Sequence, residues 1–149
     1  MNQKNNPGLL RVFVYGTLKP GEENYERYCG EKVTSATIAM TMGKLFDLTP
    51  GYPGMTSGDS PVWGYFLEFA DGEVLTLLDE LEDYQPTRQK SENLYNRQEL
   101  EIYDQQGLSL GKAWVYLMTQ ELVNQLGGIH LPNGWWDKRA AEPTLKNMN

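Results

Sequence analysis

One stretch of this chain, EVLTLLDELEDY (73–84), carries the clearest helical period, and most other apolar segments are short and cut by Gly or Pro. That pattern restricts what the chain can build. Short alternating runs bounded by turn residues are strand signals. LRVFVY (10–15), ATIAMTMGKLFDL (36–48, bent at Gly43), VWGYFLEF (62–69), NRQELEIYD (96–104) and SLGKAWVYLM (109–118) read as strands. The last two are joined by QQG, with Gly107 in a hairpin position. EENYERY (22–28) and TQELVNQL (119–126) read as short helices. TPGYPGMTSGDSP (49–61) reads as a long loop and GGIHLPNGWWDKR (127–139) as irregular. The expectation is an α+β domain, a curved sheet or small barrel packed beside one good helix.

With 149 residues the chain is the length of one domain with a full core. The expected core spans about residues 10–139, with a loose leader at 1–8 and a tail at 141–149. The leader MNQKNNPG has no apolar h-region, which argues against a signal peptide. No apolar run approaches the ~20 residues of a membrane helix. The single cysteine, Cys29, fits a reducing, cytoplasmic compartment. A net charge of −7 without a basic stripe argues against nucleic-acid and anionic-membrane partners.

Several chemistries lack their residues. GLSLGKA (107–113) is one residue too short for a phosphate loop, and Ala113 stands where Ser or Thr is required. There is no G-x-S-x-G, and His130, in a Gly- and Pro-rich loop, is the only histidine. One His and one Cys do not make a transition-metal site, so no metal and no cofactor are expected.

Carboxylates remain. On the 73–84 helix, Val74, Leu77, Leu78 and Leu81 form an apolar stripe, with Asp79, Glu80 and Asp83 nearer the polar side. Glu82 lies four residues after Leu78 and seven after Leu75, so it shares a face with leucines. From helix geometry alone, an outward-reaching boundary glutamate is the commoner outcome. The alternative is a buried acid whose raised pKa suits proton transfer near neutrality. The turn after Tyr15, in VFVYGTLKPG (12–21), has two readings as well: an ordinary turn, or a set of backbone N–H groups that bind an anion.

Taken in order, YGTLKPG (15–21), LDELEDY (78–84), Tyr95-Asn96-Arg97 and AWVYLM (113–118) resemble the gamma-glutamylcyclotransferase-like family, in its gamma-glutamylamine cyclotransferase and avirulence-induced branch. The resemblance implies a small mixed β-barrel with flanking helices. It implies a transferase- or lyase-type enzyme that cyclises a γ-glutamyl group to 5-oxoproline and releases an amine or amino acid. The substrate's own α-amine is the nucleophile. The matching positions are Glu82 as catalytic acid/base and Tyr15, Gly16, Thr17 and Leu18 as the substrate-binding turn, with Gly16 admitting a close approach. Tyr116 is expected to position the substrate, and Arg97 to pair with an acid. Trp135 and Trp136 are expected in core packing, at the barrel's end or at a subunit contact. Family members commonly have Gly after the glutamate, where this chain has Asp83. A non-catalytic metabolite- or protein-binding module of the same fold is the rival reading. The partner expected is a small γ-glutamyl compound, and the sequence leaves the leaving amine and the oligomeric state open.

Overall fold

A computed structural model describes residues 9–138. The leader and tail expected at 1–8 and 141–149 lie outside the described residues. Strand β1 is Leu10–Val14, β2 Val33–Asp47, β3 Pro53–Phe69, β4 Asn96–Tyr103, β5 Ser109–Leu117 and β6 Ile129–His130. Helices are α1 Tyr25–Tyr28, α2 Val74–Leu81 and α3 Gln120–Gln125. The expected 22–28 and 73–84 helices are therefore shorter than their sequence signals, and 127–139 holds the short β6.

The strand order is β3-β1-β5-β4-β2-β6, and β2 also pairs with β3. That second pairing turns five strands into a ring. The ring is only partly closed, because two seams are narrow. Parallel β1 and β5 meet only at Val12 and Trp114. Antiparallel β2 and β4 meet only at Met40 and Tyr103. The long β2–β3 ribbon carries most of the pairing, with register from Val33 opposite Phe69 to Asp47 opposite Pro53.

This ribbon corrects the loop reading of 49–61. Only the connection at 48–52 turns, closed by Leu48 N–H to Tyr52 O and Gly51 N–H to Leu48 O. Residues 53–56 are already strand, and the register jumps from Lys44 opposite Thr56 to Gly43 opposite Ser60. Ser57, Gly58 and Asp59 form the resulting bulge. Pro53 opens the strand, where no ladder donor is lost. A Cβ on Gly58 would stand 2.9 Å from the Gly43 backbone, so this glycine serves a close crossing inside a strand.

LRVFVY lacks polar alternation because both faces of β1 are buried. Val12 and Val14 pack in one core cluster with Val74 and Leu78 of α2. Phe13 and Tyr15 pack in the other, with Leu45, Met55, Val62 and Val115. Strand β5 divides likewise, with Val115 and Leu117 in one cluster and Tyr116, followed by Met118 just past the strand, in the other. Trp136 is 1% exposed, as the core-packing reading has it. Its Nε1–H donates to Asp47 Oδ1 at 2.8 Å. His130 is exposed, its ring tilted against Phe46.

Candidate active site

The apolar face of α2 sits differently from the expected stripe. Val74 and Leu78 are buried and Leu75, Leu81 and Glu82 half-buried, whereas Leu77 is 41% exposed. The helix is rotated toward the Leu75–Leu78–Glu82 side, and Glu82 lies on the packed face. It is the helix C-cap, its N–H bonded to Leu78 O at 2.9 Å.

The two residues after the cap fix its position. Asp83 has φ +55°, the left-handed region. Asp83 N–H donates to Glu80 O and Tyr84 N–H to Asp79 O at 2.9 Å, the two bonds of a Schellman motif. Glycine is the usual residue at such a left-handed position. The Asp83 side chain is 60% exposed and paired with Arg88 Nη2 at 3.0 Å. The same Arg88 nitrogen donates to Asp83 O. Asp83→Gly removes a left-handed cost of about 1 kcal/mol and an exposed ion pair worth no more than that. We expect a melting temperature unchanged or a few degrees higher, and kcat/KM within about twofold. A tenfold fall in kcat/KM would show that Asp83 acts on Glu82.

Glu82 opens onto a cavity of about 300 Å³. The end of β1 and its turn supply Phe13, Val14, Tyr15, Gly16, Thr17 and Leu18. The β2–β3 connection supplies Pro50, Gly51, Tyr52 and Pro53. Leu81 and Glu82 come from the end of α2, Leu94 and Tyr95 from the segment before β4, and Tyr116 from β5. Glu23, Asn24 and Lys138 complete the wall, with Lys138 Nζ 3.5 Å from Glu23. The six positions expected at the site, Tyr15, Gly16, Thr17, Leu18, Glu82 and Tyr116, border this one cavity, whereas Arg97, Trp135 and Trp136 lie outside its lining. Asn24, Pro53 and Lys138 carried no sequence signal.

Burial pushes the Glu82 carboxyl up to about 8, and the nearby Asp79 charge adds to it. Asp79 belongs to the site's support. Its Oδ1 accepts from Tyr116 Oη at 2.7 Å and from Arg97 Nε at 3.0 Å. Arg97 thus pairs with an acid, as expected, while Asp79 is drawn off the polar side where sequence had put it.

The turn is braced from within. Lys19 N–H donates to Gly16 O and Asn24 N–H to Thr17 O, bonds in which residues 16 and 17 are acceptors. Asn24 Nδ2 donates to Thr17 Oγ1 at 2.9 Å, which leaves the threonine hydroxyl proton for a donor role. A Cβ on Gly16 would stand 2.6 Å from Pro53 Cγ, so the close approach this glycine permits is that of β3. Lys19 is 1% exposed, with its ammonium 3.8 Å from the Trp135 ring centroid and bonded to Trp136 O. Burial lowers its pKa to about 8, partly offset by Glu22 and Asp137.

Residues 12–138 match the family described as gamma-glutamyl cyclotransferase, AIG2-like. The chain is similar to the gamma-L-glutamyl-butirosin B gamma-glutamyl cyclotransferase of Niallia circulans, 36% identical over 72% of this chain and 67% of that protein. The fold is similar to a crystal structure of an AIG2-like protein from Mus musculus, with TM-score 0.69 and 22% identity over 87% of this chain and 89% of that one. A second solved structure, of an uncharacterized protein from Pyrococcus horikoshii, has TM-score 0.60 and 19% identity over 91% of this chain and 96% of that one. The chain belongs to the gamma-glutamyl cyclotransferase, AIG2-like family, a family of enzymes.

Proposed function

We propose that this enzyme cyclises the γ-glutamyl group of a small compound to 5-oxoproline and releases its amine, with Glu82 as the general base and then the general acid. The observation that carries the reading is a half-buried carboxyl, raised to about 8, opening onto the same cavity as the 15–18 turn.

The substrate's α-ammonium first gives its proton to the Glu82 carboxylate. The freed amine attacks the γ-carbonyl carbon, forming a C–N bond and a tetrahedral oxyanion. Collapse breaks the bond to the leaving nitrogen, which takes the proton from Glu82, and the second proton of the ring nitrogen passes through the same carboxylate to the released amine, which departs as an ammonium. Atoms and protons balance, and the nucleophile belongs to the substrate. A pKa near neutrality lets one group accept and return that proton. Folding the substrate so that its amine meets its own carbonyl is a proximity effect, and a cavity of this size suits it. The turn's N–H groups and the Thr17 hydroxyl are suited to the α-carboxylate or the oxyanion.

The test is to incubate the protein with γ-glutamyl amino acids and γ-glutamyl amines and assay 5-oxoproline. We expect release from at least one compound at a rate that saturates with substrate. No release from any member, with those compounds still bound, would favour a binding module of the same fold.

A further inference from the structure

Among the described residues Lys19 is the only charged one that is fully buried. It takes no part in the cyclisation, and it is absent from the cavity wall. Taking an ammonium out of water is costly, and a methionine would fill the same space without that cost. The chain keeps a charge where bulk alone would pack.

Two parts of the chain meet on this charge. On one side is the turn that follows β1. Lys19 N–H donates to Gly16 O, and Lys19 O accepts from Glu22 N–H, so its backbone links two successive turns. On the other side is the segment 134–138. Gly134 O accepts from Trp63 N–H of β3 at 2.7 Å, and Trp136 Nε1–H is bonded to Asp47 of β2. The segment then reaches the cavity at Lys138. The Lys19 ammonium donates to the Trp136 carbonyl and stands over the Trp135 ring. The Trp136 ring centroid is 5.6 Å away. The acids facing the ammonium are Glu22, 4.0 Å away on its own turn, and Asp137 on the segment. Apolar surfaces in contact can slide. A carbonyl and a ring face that converge on one cation fix a point.

We propose that Lys19 is a positioning residue whose charge clasps the 134–138 segment to the 15–18 turn, and that this clasp holds the turn in the shape that receives a carboxylate of the ligand. This rests on the turn receiving a carboxylate, as in the cyclisation reading. Lys19 touches neither the ligand nor the reacting atoms, and acts through the turn.

The test needs no turnover. The probe is 5-oxoproline, the proposed product, whose carboxylate stays ionised throughout the range used. It is titrated calorimetrically into protein carrying Glu82→Gln, so that the Glu82 carboxyl does not titrate alongside Lys19. At pH 7, adding Lys19→Met or Trp135→Leu should weaken binding at least about fivefold, the scale of a misplaced charge-assisted hydrogen bond. Trp135→Phe keeps a ring face for the ammonium and should retain most of the affinity. Burial lowers the Lys19 pKa to about 8, against the pull of Glu22 and Asp137. The clasp therefore loses its charge as pH rises from 7 to 9, and binding to the Glu82→Gln protein should weaken several-fold. With Lys19→Met added, binding should start weak and stay level.

A merely structural Lys19 would lower the melting temperature and leave affinity, measured well below it, unmoved in every variant. That result overturns the positioning role. Affinity that stays level from pH 7 to 9 in the Glu82→Gln protein overturns the need for charge. Trp135→Phe as weak as Trp135→Leu overturns the part given to the ring face. Failure of 5-oxoproline to bind overturns the proposal as a whole. Should Lys19→Met fail to fold, Trp135→Leu and the pH series still decide. Binding that follows Lys19 as expected, with no 5-oxoproline formed from any γ-glutamyl compound, would sink the cyclisation and leave the clasp intact.

Discussion

Glu82→Gln is expected to lower turnover by on the order of 10²–10⁴, the usual contribution of a positioned general acid/base. The amide keeps the shape of the carboxyl but cannot take the proton of the α-ammonium, so the nucleophile is never freed. Substrate affinity should change little, because the contacts proposed for the α-carboxylate belong to the turn. The loss should therefore appear in kcat more than in KM. The measurement is steady-state 5-oxoproline formation on whichever compound proves active. An unchanged kcat would remove Glu82 from the chemistry, and with it the meaning of its raised pKa.

The same carboxyl should make stability depend on pH in an unusual direction. Its pKa is about 8 in the folded chain against an ordinary 4.5. The folded state therefore binds more protons than the unfolded state between those values, and stability falls as pH rises through that window. The effect is fully absent below pH 4.5 and complete above 8, and should reach a few kcal/mol. Other groups titrate over the same range, so the informative quantity is the difference between wild type and Glu82→Gln. Thermal melts at pH 5 and pH 8.5 should find the variant close to wild type at the lower pH and several degrees more stable at the higher. A variant equally stable to wild type at both values would mean that the carboxyl ionises freely in the folded chain.

Strands with a strict period or two buried faces were legible, and β1, β4 and β5 lie close to where the sequence puts them. The first part of β3 was not. Pro53, Gly54, Gly58 and Pro61 are loop residues by local chemistry. Here the pairing of β3 with β2 overrides that chemistry, and the bulge absorbs its irregular part. The site divides in the same manner. Glu82 could be singled out because an acid among leucines is visible in one dimension. Whether it faced water or a cavity depended on how α2 rotates, and the exposed Leu77 shows that the stripe alone misjudged this. Asp79 escaped notice because its partners, Arg97 and Tyr116, are 18 and 37 residues away in the chain. Asp83 stood out as a departure from the family's glycine, yet its left-handed backbone and outward ion pair separate it from the chemistry.

The bonds that finish the cavity join distant parts of the chain. Tyr15 reaches across 101 residues to Tyr116, and Lys19 across 117 to Trp136. Closing such loops is slow and late compared with forming a hairpin. During synthesis β1 and its turn emerge well before the residues that brace them. The long β2–β3 ribbon can form in between. A nascent chain halted before Trp136 would hold most of its sheet while the turn lacked its Lys19 tether. The proposed site would then be completed in one step, when Trp136 is in place, so a chain cut before Trp136 is expected to be inert rather than partly active.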